Sequence, residues 1–171
     1  MRSLLDRLGN PLHLLIALAC TWLVASSPWI GLYETLPDAP GALNLGHVVL
    51  GLAVLPLAIV YFAACTLGGR WRLYFPWAAG QFSGIGRDLA GIGRGERPGS
   101  EGGGLFATVE GLLLLALLVT AVTGALWFLG RDTDAAVTLR GHHILAARAL
   151  TGLMVAHVIA VSLHFVDLVR D

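Results

Sequence analysis

Charge is what this sequence has least of. Only 13% of its 171 residues are Asp, Glu, Lys or Arg, about half the share of an ordinary soluble domain. Lysine is absent altogether, so all eleven basic residues are Arg, a bias that carries no chemistry of its own. Against this, 56% of residues are hydrophobic and the mean hydropathy is +0.76. A soluble fold of this length needs polar faces on its outer helices, and a stretch such as residues 112–122 offers almost none. Composition therefore places the chain in a bilayer. The net charge of zero gives no reason to expect a nucleic-acid partner. Cysteine is scarce too: Cys20 and Cys65 form no Cys-x-x-Cys-His and no paired metal spacing, which excludes covalent haem attachment and a thiolate metal site. Both read as buried thiols acting as small hydrophobes.

What the chain does have is long apolar runs. Four reach the roughly 20 residues needed to cross about 30 Å of hydrocarbon, over residues 12–30, 43–67, 105–129 and 141–169. A signal peptide is the rival reading of the first. Against cleavage stand His13 at its start, Trp22 within it and the lack of a small-residue processing site. The expected fold is all-α, a four-helix transmembrane bundle forming one integral membrane domain over residues 1–171.

Arginine position sets the orientation. Arg2, Arg7, Arg70, Arg72, Arg87, Arg94, Arg97 and Arg170 fall on one side, and only Arg131 and Arg140 on the other. The positive-inside rule makes both termini and the long loop of residues 70–104 cytoplasmic. Trp29, Tyr33, Trp71, Tyr74, Trp77 and Trp127 lie near span ends, where interfacial aromatic anchors belong. The long loop is Gly-rich after Gly80 and reads as a solvated linker. Its start, Trp71-Arg72-Leu73-Tyr74-Phe75-Pro76-Trp77, suits the interface or a partner subunit. The Gly84-Ile85-Gly86 and Gly91-Ile92-Gly93 pairs follow no strand, so they carry no nucleotide-loop signal.

The histidines hold the chemistry. His143 and His157 stand fourteen residues apart in the last span, which on an α-helix is about 40° off one face and about 21 Å along the axis. Depth counting puts His47 near the level of His143 on the outer side, and His13 near that of His157 toward the cytoplasm. Ionisable side chains inside a membrane are costly and mark function. A b-type haem takes one neutral imidazole on each face of its iron, from different helices of a bundle core. His47 therefore pairs with His143, and His13 with His157, as axial ligands of two haem b groups.

His142 lies about 60° off the face of His157 and points toward a neighbouring helix or solvent. The two adjacent histidines differ by only about 20° in how far each lies from that face, and both stay open as ligands on sequence grounds. His164 shares the face of His157 but lies about 10 Å deeper, which suits a proton acceptor, a quinone contact or a plain interfacial histidine. Glu110, one or two turns into the third span from the cytoplasmic side, takes protons at a quinone site or is a water-exposed boundary carboxylate. Arg148 sits inside the fourth span with no acid near it in sequence, so a haem propionate, a lipid phosphate or snorkelling to the surface would satisfy it. Small residues flank the ligands: Gly46 and Gly51 around His47, Ala146, Ala147 and Ala149 after His143, and Gly152 and Ala156 before His157. They suit a flat macrocycle or ordinary close helix packing.

These residues resemble a known family. The four spans with a histidine opening each of the first two, and the last span reading His143-Ile144-Leu145 onward to Ala156-His157-Val158 and Leu163-His164-Phe165-Val166-Asp167, resemble bacterial cytochrome b561 and the b-type cytochrome of nickel-iron hydrogenases. Arg72-Leu73-Tyr74-Phe75-Pro76-Trp77 and Leu118-Val119-Thr120-Ala121-Val122-Thr123-Gly124 are similar to the cytochrome b subunit of respiratory formate dehydrogenases. The resemblance implies two bis-histidine b haems on His13, His47, His143 and His157, electron transport across the inner membrane, and exchange with the quinone pool. It departs at Leu14, where relatives commonly carry an aromatic residue, and in the Gly-rich loop. The expected function is that of a membrane subunit linking a redox partner to quinone in a respiratory chain, with a stand-alone quinone-linked cytochrome as the near alternative. A histidine relay for metal or protons is a distant one, since such sites draw on intramembrane Asp, Glu, Cys and Met, and one of the two methionines is Met1.

Overall fold

A chain with no solvent around its backbone has to satisfy its peptide groups internally, and the α-helix does so within one segment. The computed structural model describes residues 2–32, 35–96 and 103–170, with the side chains of 11–32, 35–67, 69–96 and 103–162. It is 80% helical, with no strand among the described residues. The helices are α1 (Arg2–Ser26), α2 (Ala42–Thr66), α3 (Trp71–Tyr74), α4 (Ser83–Gly93), α5 (Leu105–Gly130) and α6 (Ala136–Arg170). Four segments are long and apolar enough to cross a membrane: Pro11–Trp29, Ala42–Thr66, Leu105–Gly130 and Ala136–Ser162. The protein is an all-α transmembrane protein. Helix α6 begins five residues before the expected apolar run, because Ala136 to Arg140 continue its hydrogen bonding from a turn closed by Thr133 and Ala135 carbonyls.

Hydroxyls on the spans bond back to their own helices, as a bilayer requires. Thr21 Oγ1 donates to the Ala17 carbonyl at 2.7 Å, Ser27 Oγ to that of Val24 at 2.8 Å, and Thr123 Oγ1 to that of Val119 at 2.8 Å. Leu14, Leu18, Leu129 and Leu145 are all more than half exposed. In water such a surface would aggregate; in lipid it is the solvent-facing side.

Packing divides the chain into two compact units, Met1–Ala64 with Ala116–Leu150, and Cys65–Leu115 with Thr151–Asp171. In the first, Leu32, Val48 and Trp127 form a buried cluster with Ile30, Leu36, Leu52, Phe128 and Leu139 against it. Trp127 is only 7% exposed. It sits near a span end, yet it fills the gap between the start of α2 and the loop after α1 instead of anchoring in the interface. That loop is held on both sides of its turn: Gly31 N–H donates to Asn44 Oδ1 at 3.1 Å, and Arg140 Nε donates to the Leu32 carbonyl at 2.7 Å. At Gly46 a side chain would meet the Trp22 ring at 3.0 Å, so glycine lets α1 and α2 close up there.

In the second unit, the segment expected as a linker contains α4. Glycines at Gly84, Gly86, Gly91 and Gly93 argue against helix at about 1 kcal/mol each, and tertiary contacts offset them. The helix ends in a Schellman cap: Gly95, at φ +79°, donates to the Ile92 carbonyl, and Glu96 N–H donates to that of Gly91. Asp88 Oδ2 accepts the Leu105 N–H at 2.7 Å, so α4 supplies the N-cap of α5. A side chain at Gly111 would overlap the Tyr74 carbonyl, and glycine there lets the buried Phe75 and Pro76 seat against α5. Replacing Asp88 by Ala removes the cap and is expected to cost about 1 kcal/mol. Thermal unfolding in detergent reads this as a drop in Tm that Glu96→Gln, at an exposed ion pair, does not reproduce.

Candidate haem site

Helices α2, α5 and α6 meet in the first unit around two imidazoles. His47, early in α2, and His143, early in α6, face each other with ring centroids 6.4 Å apart and planes at 84°. His143 Nδ1 lies 3.1 Å from the Thr120 carbonyl and 3.4 Å from Thr123 Oγ1. A carbonyl only accepts, so the proton sits on Nδ1 and the lone pair on Nε2. One hydrogen bond thus sets the tautomer and the ring orientation, as the outer partner of a metal-binding histidine does. Gly124 makes this possible: a side chain there would meet His143 Cε1 at 3.0 Å and Nδ1 at 3.1 Å.

Two observations bear on whether the pair suits a group not made of protein. His47 Nδ1 is buried and has no hydrogen-bond partner among the described residues, a condition that costs about 1–3 kcal/mol if nothing satisfies the ring. One turn deeper on the same face, half-buried Gly51 has open space where a side chain would stand.

His142, next to the ligand candidate, is exposed, so of the two adjacent histidines it is His143 that turns inward. His13 belongs to the first unit and stacks on Tyr61 at 5.9 Å and 18°. His157 belongs to the second, where its ring lies 5.8 Å from that of Phe106. Arg148 is exposed and about 140° round α6 from His143, so it does not join that site. The side chain of His164 lies outside the described residues. Glu110 is half-buried on α5, one turn from Phe106, and near Tyr74. Burial foremost, with the hydrogen-bonded Cys65 side chain and Glu110 adding to it, pushes the Tyr74 pKa up to about 12.

A family model described as prokaryotic cytochrome b561 matches residues 10–168. The chain belongs to the prokaryotic cytochrome b561 family. It is therefore a multi-pass prokaryotic membrane cytochrome of b type, which binds haem and transfers electrons. No curated protein and no solved structure matches the chain. The paired imidazoles of this cytochrome fit the group by a length argument. Imidazole nitrogen bonds a transition metal at about 2.0–2.1 Å, and a ring with bonds of about 1.35 Å holds each nitrogen about 1.1 Å from its centre. Two such ligands on one iron, with their bonding nitrogens turned toward it, would stand about 6.3 Å apart between centroids, and the 6.4 Å observed leaves that room.

Sequence reasoning did not find Thr120, Thr123 and Gly124 as the seat of His143. A depth count applied to α5 as well as to the histidines would have put them level with it.

Gly124→Val is expected to push His143 off the Thr120 carbonyl and to lower the haem bound per chain. Gly141→Val, where a side chain meets nothing within 4 Å, is the control, and equal haem content in both would remove the role given to Gly124. Alkali gives a second check. With its folded pKa above the ordinary phenol value of about 10, Tyr74 contributes stability that is complete below pH 10 and lost as pH rises through about 12. The fall in stability between those limits is expected to be smaller in Tyr74→Phe, followed by thermal unfolding across that range.

Proposed function

We propose that this cytochrome is the di-haem b subunit of a respiratory oxidoreductase, carrying electrons between a redox partner and the quinone pool. The observation that carries the reading is the facing pair His47 and His143, at a centroid spacing of 6.4 Å with the His143 tautomer held by Thr120. These two side chains would hold the iron of an outer haem b. His13 and His157 are the ligands of a second, on the depth arithmetic and fourteen-residue spacing of the sequence.

Bound haem supplies a one-electron ferric–ferrous couple. The protein does the rest. His143 presents Nε2 as a neutral donor because Nδ1–H is spent on a backbone carbonyl, which also raises the basicity of the ring. Thr123 holds its own hydroxyl proton on α5 and leaves an oxygen toward the same Nδ1, so the ring has no competing tautomer. Glu110, with Tyr74 beside it, supplies the proton-active group for quinone exchange at the start of α5. His164 serves the same end of the chain. Arg148, exposed on α6, meets lipid phosphate by snorkelling. An arginine count of eight against two supports a cytoplasmic position for both termini and the α3–α4 segment.

A dithionite-reduced minus oxidised spectrum of the purified protein, with haem quantified per chain, is expected to show a b-type band and two haems. His47→Ala and His143→Ala each leave one, His13→Ala and His157→Ala likewise, and His142→Ala leaves both. A wild-type protein holding a single haem would eliminate one of the two pairs. Absence of any b-type band would end the reading.

A further inference from the structure

Helix α4 takes no part in the haem reading, yet its surface is divided into sectors. Gly84, Asp88 and Gly91 lie within about 60° of one another on the helical wheel. Gly84 is where a side chain would run into the Gly103 carbonyl, and Asp88 caps Leu105. This sector faces the rest of its unit. About 160° round from the two glycines are Phe82 and Leu89, with Ile92 flanking them; they are 61%, 55% and 47% exposed. Arg87 and Arg94, both exposed, lie about 150° from Leu89 on the remaining flank. The Gly-Ile-Gly pairs seven residues apart thus produce a small-residue seam and, behind it, an apolar ridge.

The depth of this ridge is fixed by one bond. Asp88 accepts the N–H of Leu105, the first residue of a membrane span, at 2.7 Å. The middle of α4 is therefore held at the level where the hydrocarbon begins. Exposed Leu73 on α3 and Leu112 on α5 in the same unit present further apolar surface at this end. An amphipathic helix at that level, apolar on one side and arginine-bearing on another, has the makeup of an interfacial helix.

We propose that α4 is a membrane-surface helix: Phe82, Leu89 and Ile92 enter the acyl-chain boundary beside the α5 N-terminus, and Arg87 turns toward anionic lipid headgroups. Lipid is the occupant because a membrane at the depth of Leu105 is required by α5 itself, and the arginine flank complements phosphate. Among the described residues of this segment the acidic groups are Glu96, which pairs with Arg94 at 2.8 Å, and Asp88, spent on the cap, so Arg87 is the arginine assigned to lipid.

The test uses the full-length protein in vesicles of phosphatidylcholine with phosphatidylglycerol. Nitroxide labels on Leu89→Cys, Ile92→Cys and Arg87→Cys are read by power saturation against oxygen and a water-soluble nickel chelate, with the unmutated protein treated alike to subtract Cys20 and Cys65. Labels at 89 and 92 are expected to favour oxygen several-fold over the chelate, and the label at 87 to show the reverse. Chelate access at 89 and 92 equal to that at 87 would overturn the proposal in favour of a solvated helix. Labels at 89 and 92 reached by neither reagent would overturn it in favour of a protein partner or second copy on the ridge. Neither readout depends on haem content, so failure here is separable from failure of the di-haem reading.

Discussion

A backbone surrounded by hydrocarbon has no water to fall back on, and each polar group that enters must find a partner within the protein or in what the protein binds. Helices satisfy the peptide groups; the side chains are harder. Thr21, Ser27 and Thr123 bond to carbonyls of their own turn. Arg140 reaches across to the Leu32 carbonyl. His143 uses one nitrogen on the Thr120 carbonyl, and the ring across from it, His47, keeps a buried Nδ1 with no partner among the described residues. In a soluble protein an unpartnered imidazole nitrogen at a surface would mean little, because water would complete it.

Close approach is the second condition, and glycine provides it at each decisive contact. Gly46 receives the Trp22 ring, Gly124 the His143 ring, Gly111 the backbone at Tyr74, and Gly84 the carbonyl of Gly103. Without strong hydrophobic driving force between helices in lipid, such packing and a few polar contacts hold the spans together. The same economy explains α4, which is poor in intrinsic propensity and is kept by a cap, a Schellman turn and a seam of small residues.

The spans were legible from the sequence because twenty apolar residues in a row have few alternatives to a membrane helix. His143 and His47 were legible because charge is so rare here that four histidines at matched depth stand out. Less legible was which neighbour of the His142–His143 pair turns inward, a matter of about 100° of helical phase settled by Thr120 and Gly124 on another helix. Trp127 read as an interfacial anchor from its position near a span end, and the space beside Leu32 and Val48 drew it inside. Residues 83–93 read as linker because local propensity counts each glycine against a helix and cannot see Leu105 waiting for Asp88.

Hydropathy, histidine spacing and arginine placement are properties of the chain in one dimension, so the sequence by itself determined the class of protein, the number of spans and the family. Ring orientation, tautomer, the burial of Trp127 and the seating of α4 depend on atoms brought together from segments 17 or more residues apart. Only the tertiary structure decided these, because a hydrogen bond or a close backbone approach exists at a point in space and leaves no trace in the periodicity of either partner.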